Sequence, residues 1–394
     1  MAAAPDDPVG RQGRALVELL RRPDDREEDP LALLDRVPMD AVTRLANHHR
    51  VPGMVFRSLR ELGVDDDATA PLRAAYQMAA LAHARCLDEL SDMADRLGRL
   101  DRPWLVIKGP VLTELGYRDP GARLYEDLDV LVTPAAVGEV METVERAGGR
   151  LTDLNWPMMI QRRRAEVPMI LPRGLLCDLH WDLLVTPNIR ARFALPMAEV
   201  VGRRRTVRLG GVDVATLDVV DGLLYLCLHG VLSGGHQLVW VTDVDRMVRV
   251  QPVDWDELVR RARRHGLDLV AAMLFERARH LLGTPVPDPV LDALGGGQPW
   301  WELWRRHERR SGLARWGRTG RTGRVFLAST SAGTVPSVVQ YGRSLVDDVI
   351  RPTLADRRRS AAEPTDGVPL LYRPVGGDAG RAGYLEMVEA RTGW

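Results

Sequence analysis

The stretch Trp104–Val132, WLVIKGPVLTELGYRDPGARLYEDLDVLV, decides the reading of the whole chain: strand, tight glycine turn, helix, loop, strand. Its first mark is compositional. Of 54 Lys+Arg in the sequence, Lys108 is the one lysine, and it stands directly before Gly109. A lysine ammonium is a compact point charge, whereas arginine is a planar fork suited to bidentate pairing. In a chain so biased toward arginine, a surviving lysine points to a place where the two cations are not equivalent.

The second mark is Asp127-Leu128-Asp129. Side chains alternate faces along a strand, so Asp127 and Asp129 share one face while Leu128, Val130 and Val132 take the other. Close like charges are costly unless a cation sits between them, and Mg²⁺ bound by one or two carboxylates together with substrate phosphates is the usual solution. A lone DxD is often a solvated strand end. Placed after Lys108-Gly109, it carries more.

Working outward, 394 residues suffice for two or three domains, and 45% hydrophobic with 27% charged residues is ordinary globular composition. The net charge of +0 provides no global field toward nucleic acid or an anionic membrane, so nucleic acid is disfavoured as a partner but not excluded. Cys86, Cys177 and Cys227 are odd in number and form no CxxC, against both a disulfide framework and a zinc site. MAAAPDDPVGRQGR lacks an apolar core of signal-peptide length, and nowhere is there an uninterrupted apolar run of membrane-spanning length. The expectation is a cytoplasmic protein without a membrane partner.

Residues 1–100 predict a helical region, with a long helix where Leu72, Ala75, Met78, Ala79, Ala82, Cys86, Leu90, Met93 and Leu97 recur at threes and fours. Residues 101–218 predict an α/β core. After the opening stretch, Pro134 begins a helix ending near Gly148-Gly149, and Arg150–Leu154 reads as an edge strand. Glu166–Leu171 and Leu175–Trp181 form a hairpin about Pro172-Arg173-Gly174, and Arg204–Leu217 a second one about Gly210-Gly211. Residues 219–350 predict a second helical region and 351–394 a linker and tail. The fold class is therefore α+β: a small mixed sheet with flanking helices, set between helical regions.

In the second strand of the first hairpin, CDLHWDL, Asp178 and His180 share a face. An acid within an apolar strand is expensive to bury unpartnered, which makes Asp178 a candidate third metal-side carboxylate. His236 and Asp243 are expected to share a helical face and contact nucleotide or substrate, whereas Asp243 and Asp245, two apart in a helix, do not face together. Trp300, Trp301 and Trp304 read as a core stripe, and GRTGRTGR at 317–324 as a surface loop.

These parts describe a chemistry. The Gly109 turn lets backbone approach a phosphate, and a helix from Pro110 offers its N-terminus to it. Two metals a few Å apart, bridged by these carboxylates, would activate an attacking oxygen and stabilise leaving pyrophosphate, which is phosphoryl or nucleotidyl transfer. KGPVLTELGY, RLYEDLDVLV, CDLHWDLL, LHG and H-x6-D together resemble the uncharacterised nucleotidyltransferase family of bacteria, a branch of the DNA polymerase β-like nucleotidyltransferase superfamily, over roughly residues 40–270. The resemblance implies that Gly109 is the turn glycine, that Asp127 and Asp129 are the metal pair and Asp178 the third carboxylate, and that Lys108 and Arg123 contact the triphosphate. Pro110 stands where the superfamily usually has serine or glycine, so the phosphate grip differs.

The implied cofactor is Mg²⁺ or Mn²⁺ and the implied donor an NTP. The acceptor is unknown, with a small molecule or peptide favoured. The alternatives are a toxin-like nucleotidyltransferase acting on tRNA or protein, a phosphotransferase using the same site, and an inactive nucleotide-binding module.

Overall fold

The computed structural model describes residues 8–64, 67–311, 321–346 and 374–391. The fold is α+β, with a five-stranded mixed sheet flanked by helices and helical regions to either side in sequence. Residues 317–320 of GRTGRTGR and residues 351–373 and 392–394 of the expected linker and tail lie outside the described residues, and residues 321–324 begin the helix Arg321–Ala328 instead of the expected loop.

Two compact units divide the chain, and both are discontinuous in sequence. A helical unit combines Met1–His83, Leu112–Leu124 and Leu223–Asp348; a sheet unit combines Ala84–Val111, Tyr125–Gly222 and Val349–Trp394. The long helix Ala70–Leu97 contributes its first half to one unit and its second half to the other.

In the sheet unit the strands are β1 (Trp104–Val106), β2 (Asp127–Val132), β3 (Arg150–Leu151), β4 (Glu166–Ile170) and β5 (Leu176–His180), in spatial order β1-β2-β5-β4-β3. β2 and β5 are parallel, and the other pairs are antiparallel. β2 is buried from Leu128 onward, as its run of Leu and Val demands of a central strand covered on both faces. A hairpin of β6 (Arg205–Leu209) and β7 (Val212–Thr216) is tied to β1 by Thr216 Oγ1 donating to the Val106 carbonyl at 2.6 Å.

A helix at Gly377–Glu389 falls within the stretch expected to be linker and tail. Its three glycines make it a poor helix former, and burial of Tyr384 accounts for it. The Tyr384 hydroxyl donates to the Arg164 carbonyl at 2.8 Å and accepts from Trp181 Nε1 at 3.0 Å, and its ring lies 5.6 Å from that of Trp156. Trp156 opens the helix Trp156–Arg162, whose N-cap is Asn155 accepting from Met158 N.

The helical unit is assembled around the helix Asp268–Leu282, which buries most of its length, with Trp300, Trp301 and Trp304 buried as the expected core stripe. Arg277 donates two bonds to Glu308, at 2.9 and 2.7 Å, and a third to the Gly235 carbonyl. Asp254 caps the helix Trp255–His265 by accepting from Glu257 N. Cys86, Cys177 and Cys227 are free and buried. Among the described residues no helix is long and apolar enough to cross a membrane.

Candidate active site

The parallel pairing of β2 with β5 sets Asp129 directly opposite Asp178 and Leu131 opposite His180. Directly paired residues of neighbouring strands project from the same face, so the two aspartates and the histidine stand together. Among the described residues one group of three side chains offers converging metal-ligating atoms: those of Asp129, Asp178 and His180 lie within 4.8 Å of one another. The antiparallel partner β4 adds Glu166 opposite His180.

Asp129 is the hub. Its buried carboxylate oxygen Oδ1 lies 3.0 Å from Lys108 Nζ and 3.0 Å from His180 Nε2. Burial alone lifts the Asp129 carboxyl, but Lys108 and His180 outweigh it and hold the group well below the usual carboxylate range. The point charge of lysine suits this place, where a single oxygen is shared with an imidazole. A guanidinium fork would demand both oxygens.

His180 is buried, which disfavours its charged form, yet the bond to Asp129 and the nearby charges of Asp129 and Glu166 raise its pKa. Its Nδ1 is buried without a hydrogen-bond partner, and Glu166 Oε2 approaches only to 4.0 Å. Asp178 behaves oppositely to Asp129. Burial, then the charges of Glu166, Asp129 and Asp127, push its carboxyl up to about 6. Two facing carboxylates driven apart in this way are the pattern of an acid–base site.

Asp127 begins β2 on the same face as Asp129, half-buried, and stands opposite exposed Leu176. It is not in the converging group, although its charge reaches Asp178. Gly109 has φ +49°, and a Cβ there would stand 3.2 Å from the Tyr125 ring, so a side chain would meet both strain and crowding. The helix expected from Pro110 is short: Pro110–Leu112 passes into a π-helical turn, Thr113–Tyr117.

Arg123 and Asp243 meet each other inside the helical unit. Arg123 donates to both oxygens of Asp243, Nε at 2.7 Å and Nη2 at 3.0 Å, and the Tyr117 hydroxyl donates to the same carboxylate at 2.8 Å. His236 does not share a helical face with Asp243, because the helix Leu238–Val250 starts two residues after it. Its Nδ1 is 3.1 Å from the Ser233 carbonyl, and burial with Arg324 nearby lowers its pKa.

The sequence reading missed Glu166 and Arg164. Arg164 donates to Glu166 at 2.5 Å and to Asp153 at 3.0 Å, holding Glu166 beside His180. Counting back across the hairpin from His180 leads to Glu166, so the signal was present once the turn at Pro172–Gly174 was placed.

A family model described as an uncharacterised nucleotidyltransferase matches residues 35–283, more than half of the chain. The chain belongs to this nucleotidyltransferase family. No curated protein matches the sequence. The matched span contains every strand of the nucleotidyltransferase sheet and the whole Asp129–Asp178–His180 group. It also takes in the Arg123–Asp243 pair of the helical unit.

Proposed function

We propose that the protein transfers a nucleoside monophosphate from an NTP to a small-molecule or peptide acceptor, using a divalent cation, Mg²⁺ or Mn²⁺. The observation that carries the reading is the pairing of Asp129 with Asp178 across β2 and β5, with Lys108 on the first and His180 on the same face. Two carboxylates and an imidazole with an unpartnered buried nitrogen are a donor set that fits such an ion. Asp129 and Asp178 would hold it, with Asp127 one pleat away. Bound there, the ion supplies charge stabilisation at the reacting phosphate and the leaving pyrophosphate.

The chain's own groups account for the rest. Gly109 opens the turn to a phosphate, and the Lys108 ammonium beside it offers a point charge to one phosphate oxygen. Asp178, with its carboxyl near 6, suits removal of a proton from an acceptor hydroxyl. His180 orients Asp129 through Nε2, and the Glu166 carboxylate stands 4.0 Å from its other nitrogen. Since the Arg123 fork is engaged by Asp243, we assign that pair to anchoring the Leu112–Leu124 segment rather than to the triphosphate.

The test is incubation with α-labelled or γ-labelled NTP, Mg²⁺ or Mn²⁺ and fractionated cell extract, comparing wild type with Asp129→Ala. Metal-dependent α-label transfer to a small acceptor, lost in the variant, is expected. Label moving only from the γ position means a phosphotransferase. Label in tRNA or protein means a toxin-like enzyme, and equal transfer by the variant refutes the assigned site.

A further inference from the structure

The helical unit contains a cavity of about 600 Å³ that the nucleotidyl-transfer reading does not use. Its walls come from Leu19–Arg26, the helix Pro52–Glu61, the segment from Gly116 to Ala122, and Arg246 with Val250. The volume is that of a small-molecule site, but such sites are mostly apolar, whereas this one is lined by Arg21, Arg22, Arg26, Arg57, Arg118 and Arg246 against three carboxylates, Asp24, Glu61 and Asp119.

The pairing within the wall leaves part of that charge uncommitted. Arg57 takes Glu61 at 2.9 Å and lies 3.7 Å from Asp119, whose other oxygen accepts from Tyr76 and Gly121 N. Arg21 is held by Glu18 and Glu27, and Arg246 by Asp245 and the Leu20 carbonyl. Among the described residues no carboxylate pairs with Arg22, Arg26 or Arg118. Arg26 gives one N–H to Ser58 Oγ at 3.1 Å, while its Nε is buried without a hydrogen-bond partner.

Arg118 is held at φ +54°, where its amide donates to the Thr113 carbonyl and ends the π-helical turn. A long side chain in the left-handed region costs free energy that glycine avoids, and such positions concentrate at ligand clamps. The helix Pro52–Glu61 packs closely on the segment that carries Arg118: a Cβ on Gly53 would stand 2.0 Å from the Gly121 carbonyl oxygen.

We infer that this cavity binds a small phosphate-bearing anion, gripped by Arg22, Arg26 and Arg118. Guanidinium forks match phosphate oxygens bidentately, and three arginines that no carboxylate holds suit a phosphate monoester or a pyrophosphate better than a monocarboxylate. The volume leaves room for an organic body beyond the phosphate. The inference stands whether or not the sheet unit transfers nucleotides, and its test needs no turnover.

Inorganic pyrophosphate is titrated calorimetrically into the full chain in EDTA, beside citrate as a carboxylate control. Saturable binding is expected, weakened at least tenfold in Arg22→Ala/Arg118→Ala and unchanged in Arg44→Ala. Arg22 and Arg118 are exposed, so an unchanged circular dichroism spectrum verifies the fold of the double variant. Absence of pyrophosphate binding, equal binding by the double variant, equal loss in Arg44→Ala, or tighter binding of citrate would each overturn the inference.

Discussion

Removing the carboxylate of Asp243 leaves the Arg123 guanidinium facing a site it cannot leave easily. The two side chains are 10% and 3% exposed, and the carboxylate accepts two bonds from Arg123 and one from Tyr117. Breaking a buried pair by deleting one partner costs about 3–5 kcal/mol, and the partial exposure of Arg123 places Asp243→Leu at the lower end, about 3 kcal/mol. Arg123→Met is expected to cost a similar amount, since it strands the carboxylate and leaves Tyr117 as its donor.

The double variant replaces the pair by apolar groups and should recover much of the loss, with a coupling of about 2–3 kcal/mol. Urea unfolding followed by far-ultraviolet circular dichroism reads the helical unit's transition. Additive losses, or single substitutions costing less than about 1 kcal/mol, would refute the anchoring role. Retained nucleotide transfer in the double variant would separate Arg123 from the triphosphate.

Metal affinity should fall about tenfold per pH unit below about 6, because the proton competes for Asp178, and should level off above it; calorimetric Mn²⁺ titrations across pH 5–8 check this. A pH-independent affinity would remove Asp178 from the ligands. Lys108→Met strands the Asp129 charge on His180 alone, so stability gained from that pair should be fully present below the unfolded histidine pKa and lost as pH rises through the raised folded one; melting temperatures from pH 6 upward measure it. Gly53→Ala should destabilise by about 3 kcal/mol through its clash with the Gly121 carbonyl, although helix propensity alone predicts a gain of about 1 kcal/mol; a raised melting temperature would refute the contact.

Elements whose signal is local were legible in the sequence. β2 announces itself through DLDVLV, the hairpin of β4 and β5 through Pro172-Arg173-Gly174, and the long helix through its spacing. Period-two alternation also placed Asp178 and His180 on one face. What it could not supply was register across β2 and β5, a parallel pairing between segments about fifty residues apart, and that register is what brings His180 to Asp129. The helix Gly377–Glu389 was hidden for another reason: Tyr384 stabilises it through partners far back in the chain. Arg123 lies close to β2 in sequence, but its fork belongs to Asp243, 120 residues further along the chain.

Lys108 gives this protein an unusual handle. With the one ε-amine among residues 1–394 lying against Asp129, an acylating or Schiff-base-forming reagent reports on the site without competition from other lysines. A protease that cuts after lysine has one peptide bond to attack, Lys108–Gly109, in the turn between β1 and the π-helical segment. Under native conditions its rate of cleavage measures how often that turn opens, and ligand occupancy there registers as protection of a single bond.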